Sequence, residues 1–178
     1  EESMVLLKNA DQILPLKASE KVAFVGGFAK KPRFQGGGSS HINCFKITNA
    51  LEAVPADAQV IYAEGFPADK DLYDEKLAAE ALQAAKVADK VVIFAGLPDS
   101  FESEGYDRSH MRLPDCQNRL IAEIFEVQPN TVIVLHNGSP VEMPWINNVK
   151  GILEAYLGGQ AGGAAVANIL YGIVKISG

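Results

Sequence analysis

The side chains best suited to proton transfer lie in one short segment, Glu102-Ser-Glu-Gly-Tyr-Asp-Arg108, which we call the acidic loop. Glu102 and Glu104 are two positions apart, so in an extended segment both would project to the same side. Two carboxylates with an arginine nearby suit acid–base chemistry on a polar, uncharged substrate. The alternative is that both glutamates are solvated loop charges.

The acidic loop lies between a predicted strand and a predicted helix. The run Lys90–Ala95 is apolar and rich in β-branched residues, and Gly96 and Pro98 bound it, which indicates a buried strand. The run Pro114–Val127 predicts a helix, with Asp115 near its start. Open α/β sheets bind ligands beyond the carboxyl ends of their strands, so we expect the acidic loop at such an edge.

The rest of the chain continues this alternation of strands and helices. Further strands are predicted at Lys21–Gly26, Val60–Ala63, Thr131–His136 and Gly151–Tyr156, and further helices at Glu2–Lys8, Ile47–Val54, Asp74–Ala88 and Gly162–Leu170. Nearly continuous apolar strands alternating with helices indicate a mostly parallel sheet covered on both faces. We therefore predict a three-layer α/β sandwich with a doubly wound, flavodoxin-like sheet.

Composition excludes several function classes. The 178 residues are 48% apolar, enough for one domain with a substantial core. The net charge is −6 and the 16 basic residues are scattered, which argues against a nucleic-acid partner. No apolar run approaches the roughly 20 residues of a membrane span. The absence of a signal-like segment at the start slightly favours a cytoplasmic location.

Cysteine and histidine give no sign of a metal or cofactor. Cys44 and Cys116 are far apart and lack ligand-type spacing; they could form a disulfide, but two plain thiols are expected. The three histidines show no metal-ligand spacing either. His136 ends a predicted strand and is interpreted as a structural histidine. We expect no metal and no cofactor.

A glycine–serine loop, residues 30–41, follows the first predicted strand of the sheet. The run Gly36–Ser40 could cradle a phosphate with its backbone N–H groups, form a tight surface turn, or touch a sugar or an adjoining domain. It lacks the Gly-Lys-Ser/Thr of a P-loop, and the spacing of its glycines does not match the dinucleotide fingerprint. The sequence leaves the other two interpretations open.

The order of these motifs resembles the second domain of glycoside hydrolase family 3, the β-glucosidase and β-xylosidase group. The matching landmarks are Glu2–Asn9, Leu14-Pro-Leu16, Gln35–Ser40, the acidic loop with Leu113-Pro114 and Gln117, Asn137–Val141 with Pro144-Trp145, and Tyr156–Gly163. The resemblance spans nearly the whole chain. It implies retaining hydrolysis of β-glycosides, with a nucleophilic aspartate on a barrel domain and an acid/base glutamate on this one.

Carried over position by position, the resemblance makes Glu104 the acid/base. Glu102 is the alternative, or a neighbour that raises the proton affinity of Glu104. The residues expected to border the sugar are Arg33, Phe34, Gly37, Ser39 and Ser40. Asp107 and Arg108 are expected to brace the loop.

The resemblance also implies a domain organisation and partners. Residues 1–20 are expected to be a linker arm from a missing barrel domain, and residues 21–178 the sandwich domain. This domain departs from the family pattern at Gly172–Gly178, where its last strand and helix are expected to be missing or altered. The substrate would be a β-glucoside or oligosaccharide, and the isolated domain would be inactive. The alternatives are a non-catalytic carbohydrate-binding or packing module of such a hydrolase, and a β-xylosidase instead of a β-glucosidase.

Overall fold

The computed structural model describes residues 1–176 and contains one mixed six-stranded sheet with three α-helices in that range. The strands are β1 Val5–Asn9, β2 Lys21–Val25, β3 Gln59–Ala63, β4 Lys90–Gly96, β5 Thr131–His136 and β6 Gly151–Glu154. The helices are α1 Glu75–Val87, α2 Asp115–Val127 and α3 Gly162–Leu170. The predicted α/β sandwich is confirmed.

The sheet has the strand order β1-β6-β5-β4-β2-β3. Strands β2 to β6 are parallel to their neighbours, and β1 pairs antiparallel with β6 at one edge. Within the parallel set the chain runs from β2 outward to β3, returns to β4 on the other side of β2, and then runs outward through β5 to β6. The loops after β2, β4 and β5 therefore emerge side by side at the carboxyl edge.

Alternating side chains bury both faces of the sheet. On β2, Ala23 and Val25 belong to the core that α1 and α2 cover, and Val22 and Phe24 belong to the core that α3 covers. Helix α1 begins where the Asp74 carboxylate accepts hydrogen bonds from two backbone N–H groups of its first turn. These two cores hold the carboxyl edge rigid beneath the long loops.

The helix predicted at Glu2–Lys8 is wrong, because this segment forms β1 instead. The free edge of β6 offers backbone partners to an extended chain, and Val5 to Asn9 pair with residues 151–154. Residues on both sides of this strand, including Met4, Leu14 and Leu16, are buried in the core beneath α3. The segment expected to be a linker arm is thus an integral part of this domain's sheet and core.

The helix predicted at Ile47–Val54 is also wrong, since the segment contains a turn, a bend and irregular backbone but no helix. The N–H of Leu51 donates to the carbonyl of Ala29, and the side chain of Asn49 accepts from the N–H of Glu52. Thr48 Oγ1 accepts from the N–H of Ala164 at the start of α3. The backbone N–H of Leu51, which a helix would have paired within the segment, is thus bound to a distant part of the chain.

The segment that leads from β4 into the acidic loop begins at a tightly constrained strand end, Gly96. Gly96 has φ +151°, and a Cβ there would lie 2.1 Å from the carbonyl oxygen of His136. The side-chain amide of Gln117, on α2, donates to the Gly96 carbonyl and accepts from the Gly96 N–H, at 2.9 and 3.0 Å. The start of the loop is therefore fixed by both α2 and β5.

Candidate functional site

The acidic loop and the glycine–serine loop meet at the tip of the carboxyl edge through Glu104. The Ser39 hydroxyl donates to Glu104 Oε1 at 2.6 Å, and the Ser39 N–H donates to Oε2 at 2.7 Å. The side-chain bond and then the backbone bond from Ser39 hold the pKa of Glu104 below its ordinary value, although the carboxylate is fully exposed. A solvent-facing carboxylate is thus held in one orientation.

Two glycines let the loops approach this closely. Gly38 has φ +82°, and a Cβ there would lie 2.6 Å from Glu104 Oε2; at Gly37 a Cβ would lie 2.8 Å from Ser103 Oγ. The backbone N–H that a bound phosphate would need at Ser39 is already donated to Glu104. The phosphate-cradle interpretation of this loop therefore loses its support.

Glu102 lies in a different environment from Glu104, although it is only two residues away. Its Oε2 accepts from Arg33 Nη1 at 2.5 Å and from the Gly138 N–H at 2.9 Å. Burial raises the pKa of Glu102, but hydrogen bonds from Ser139, Gly138 and Arg33 outweigh it, so the pKa lies below its ordinary value. The lowered pKa of Glu104 is caused by its hydrogen bonds from Ser39, and the expectation that Glu102 raises the proton affinity of Glu104 stays a prediction.

Arg33 was expected to border a sugar, but its guanidinium is turned into the protein. The residue is 7% exposed and contacts the chain that leads into the acidic loop. Phe34 is half-buried and its carbonyl accepts from the Gly159 N–H, whereas Ser40 is exposed and its hydroxyl donates to the Gly37 carbonyl. Sugar contacts for Phe34, Gly37, Ser39 and Ser40 stay predictions.

Arg108 connects the acidic loop to the loop after β5. Its Nη2 donates to Ser139 Oγ at 2.8 Å and to the Pro140 carbonyl at 3.0 Å. Its Nη1 is buried and has no hydrogen-bond partner among residues 1–176. Asp107 forms no ion pair within that same range, so its bracing role stays a prediction.

A layer of buried polar residues lies beneath these loops, formed by His136, Asn137 and Glu154. His136 is buried, and burial together with the charge of Arg33 lowers its pKa to about 4, so the imidazole is neutral. Glu154, at the end of β6, accepts from the Tyr156 N–H and from Asn137 Nδ2. Burial raises the pKa of Glu154 to about 7, and the charge of Glu102 adds to the effect.

Open cavities border the two glutamates. A depression of about 230 Å³ contacts both Glu102 and Glu104, together with Arg33, Gly36, Gly37, Ser103, Gly138 and Leu157. A larger one, of about 840 Å³, lies on the other side of the acidic loop between Tyr106, Arg108 and His110. This edge thus places two carboxylates beside space for a ligand.

No metal centre or disulfide is found in the part of the chain that the structure describes. No group of three or more His, Cys, Asp or Glu side chains is arranged to hold an ion there. Cys44 and Cys116 are both free thiols, the first half-buried and the second buried. Within residues 1–176, none of the helices has the length and apolar character needed to cross a bilayer.

Comparison with known proteins identifies the family. The chain is 54% identical, over 99% of its length, to a protein named thermostable β-glucosidase B from Acetivibrio thermocellus, and 44% identical over 99% to an exo-α-(1→6)-L-arabinopyranosidase from Bifidobacterium longum. The chain spans about a quarter of each of these relatives, 24% and 25%.

A solved structure shares the fold of this chain. It is the crystal structure of a β-glucosidase of glycoside hydrolase family 3 from Bifidobacterium adolescentis, 48% identical, with a TM-score of 0.92 over 97% of this chain and 26% of that one. The family model described as the glycosyl hydrolase family 3 C-terminal domain matches residues 4–178. The chain therefore belongs to the C-terminal domain family of the glycoside hydrolase family 3 enzymes.

Proposed function

We propose that this chain is part of a longer retaining β-glycosidase that releases terminal β-D-glucosyl residues, and that Glu104 is its general acid/base. One observation carries the proposal: the carboxylate of Glu104 is exposed at the carboxyl edge of the sheet, next to open space, and is oriented by two hydrogen bonds from Ser39. The relative named β-glucosidase, at 54% identity, supports the choice of sugar.

The reaction needs a second carboxylate, which we assign to an aspartate of a preceding barrel domain. That aspartate would attack the anomeric carbon while the proton of Glu104 passes to the departing glycosidic oxygen, leaving a glycosyl-enzyme. Glu104, now a carboxylate, would then take a proton from water as the water attacks the anomeric carbon and frees the aspartate. This chain alone would therefore be inactive, since one carboxyl group cannot both attack and protonate.

The proposal also requires the pKa of Glu104 to change on assembly. In this chain hydrogen bonds from Ser39 hold its pKa low, which suits the carboxylate form. A barrel packed over the edge would exclude water and bring a second carboxylate to within about 5–5.5 Å, and both effects raise the pKa of a carboxyl group. Glu104 would then be protonated when the substrate binds.

Glu102 is the second candidate for the acid/base. Against it, its Oε2 is already bound to Arg33 and Gly138, and its side chain is 18% exposed. A proton donor must reach the leaving oxygen, and a carboxylate paired with a buried arginine is hard to protonate. The geometry therefore favours Glu104.

Kinetics of the full-length protein that carries this chain would test the proposal. Glu104→Ala should lower kcat/KM for cellobiose by about 10²- to 10⁴-fold, but should have much less effect on an aryl β-glucoside whose leaving group needs no proton. Glu126→Ala, an exposed glutamate on α2, is the matched control and should behave as wild type.

Two other results would support different conclusions. If Glu104→Ala had near-wild-type kcat/KM values for both cellobiose and the aryl β-glucoside, this domain would be a non-catalytic binding or packing module. If Glu102→Ala gave the selective loss and Glu104→Ala did not, the roles of the two glutamates would be reversed. A higher kcat/KM for an aryl β-xyloside than for the glucoside would replace the assigned sugar and leave the mechanism unchanged.

A further inference from the structure

The guanidinium of Arg33 is enclosed by the chain that leads from β4 into the acidic loop. Its Nη1 donates to the Leu97 carbonyl at 2.6 Å, its Nε to Asp99 Oδ1 at 3.1 Å, and its Nη2 to the carbonyl of Glu102 at 3.0 Å. With the Glu102 carboxylate as a fourth partner, one side chain contacts three positions of a six-residue segment. The path of that segment follows the shape of the guanidinium.

Glu102 extends this arrangement to a third loop. The same carboxylate oxygen that pairs with Arg33 accepts the Gly138 N–H, which belongs to the loop after β5. The pair therefore joins the loops that follow β2, β4 and β5. The side chain of Arg33 is 5% exposed and that of Glu102 18%, so water screens the pair only weakly.

The contacts between the two loops continue from this ion pair to Glu104. Arg33 binds Glu102 at the base, Gly37 lies directly against Ser103, and Ser39 holds Glu104 at the tip. A shift of Glu102 would pass along two residues to the carboxyl group that donates the proton. Misplacing a catalytic group by about 1 Å can cost on the order of 10²-fold in rate.

We propose that Arg33 and Glu102 are positioning residues that fix the acidic loop so that Glu104 points at the glycosidic oxygen. This inference rests on the proposed function of Glu104. Only arginine has the planar fork that reaches these four backbone and side-chain acceptors at once; lysine offers a single charged point. The pair acts through the loop and takes no part in the proton transfer itself.

Four variants of the full-length protein test the pair: Arg33→Lys, Arg33→Met, Glu102→Gln, and the double variant Arg33→Met with Glu102→Gln. Each should lower kcat/KM for cellobiose by about 10- to 100-fold and change kcat/KM for an activated aryl β-glucoside by no more than about threefold. Arg33→Lys should retain the most activity. The double variant should have about the same kcat/KM for cellobiose as the less active of Arg33→Met and Glu102→Gln, because the two residues act as one unit.

A purely structural role predicts a different pattern, since a lower folded fraction reduces both rates equally. Arg119→Met, which removes an exposed ion pair with Glu123 on α2, is the matched control and should leave the ratio of the two rates unchanged. Equal losses on both substrates, or none, in the folded Arg33 and Glu102 variants would overturn the inference. If Glu104→Ala shows the selective loss and these variants do not, this inference alone fails. If Glu104→Ala shows none, the proposed function fails.

Discussion

The base and the tip of the acidic loop place two glutamates, two residues apart, in opposite settings. At the base, Glu102 is mostly buried and forms an ion pair with Arg33. At the tip, Glu104 is exposed and accepts hydrogen bonds from Ser39. Both have pKa values below the ordinary one, but for different reasons. The sequence position of a carboxylate therefore does not assign its role; its partners and its access to a ligand do.

Below the base of the loop, at the end of β4, Gly96→Ala should give the largest loss of stability. The added Cβ would lie 2.1 Å from the His136 carbonyl oxygen, at a backbone conformation that alanine rarely adopts. We expect the free energy of unfolding of the 178-residue chain to fall by about 3 kcal/mol or more, measured by urea denaturation.

The matched control is Gly105→Ala, nearer the tip. It also has a positive φ, +71°, but nothing lies within 4 Å of an added Cβ. Its loss should be about 1 kcal/mol. Equal losses at Gly96 and Gly105 would mean that the base of the loop is no more constrained than its tip.

Glu102→Ala should be the next largest effect. It leaves the buried guanidinium of Arg33 with Asp99 and two backbone carbonyls but without its main counter-charge. Removing one partner of a largely buried pair should cost about 2–3 kcal/mol in unfolding free energy. Glu104→Ala should lower the free energy of unfolding much less, because water competes with both of the hydrogen bonds from Ser39. A larger loss at Glu104 than at Glu102 would contradict the comparison.

A third carboxyl group near the base, Glu154, should make stability depend on pH. Its pKa is about 7 in the folded chain against an ordinary 4.5, so between these values the folded state keeps a proton that the unfolded state has released. The free energy of unfolding should therefore fall as pH rises from about 5 to 7, by on the order of 2 kcal/mol.

Urea denaturation at several pH values would measure this dependence. Glu154→Gln should flatten it over pH 5–7. Glu102 and Glu104 have lowered pKa values, so their contribution to the free energy of unfolding is lost as the pH falls, and at lower pH than the effect of Glu154. An unchanged slope in Glu154→Gln would assign the dependence to another group.

The smallest effect should be a change in the pKa of Glu104 itself. Ser39→Ala removes the hydroxyl that donates to the carboxylate, so the pKa of Glu104 should rise toward its ordinary value. A carbon-13 NMR titration of the Glu104 carboxyl would measure it. Ser40→Ala is the control, because that hydroxyl contacts the Gly37 carbonyl and should leave the titration unchanged. A shift in both variants would indicate a general loosening of the glycine–serine loop.

The fold was predictable where local pattern and burial agree. Strands β2, β4 and β5 are nearly continuous apolar runs in the sheet interior, and Asp74 marks the start of α1. Strand β1 was not predictable in this way, because its pairing with β6 joins residues about 145 positions apart. The turns at 47–54 depend in the same way on distant partners at Ala29 and Ala164.

The place of the site was predictable, but its internal contacts were not. The acidic loop follows a buried strand, and parallel topology brings it to the carboxyl edge. The partnership of Arg33 and Glu102 spans 69 positions and was not anticipated. One signal was available: an arginine and a glutamate occur in the loops after two strands that the topology makes neighbours. Asn137 and Glu154 gave no such signal, because Asn137 follows an ordinary apolar strand and Glu154 ends one.

The most direct test of the account is the product formed by Glu104→Ala in the full-length protein when azide is added to an activated aryl β-glucoside. Azide needs no base to attack the glycosyl-enzyme, so it should restore turnover and give β-glucosyl azide, while Glu102→Ala should form none. Wild-type rates without azide in Glu104→Ala, or azide product from Glu102→Ala alone, would contradict the assignment of Glu104 as the acid/base.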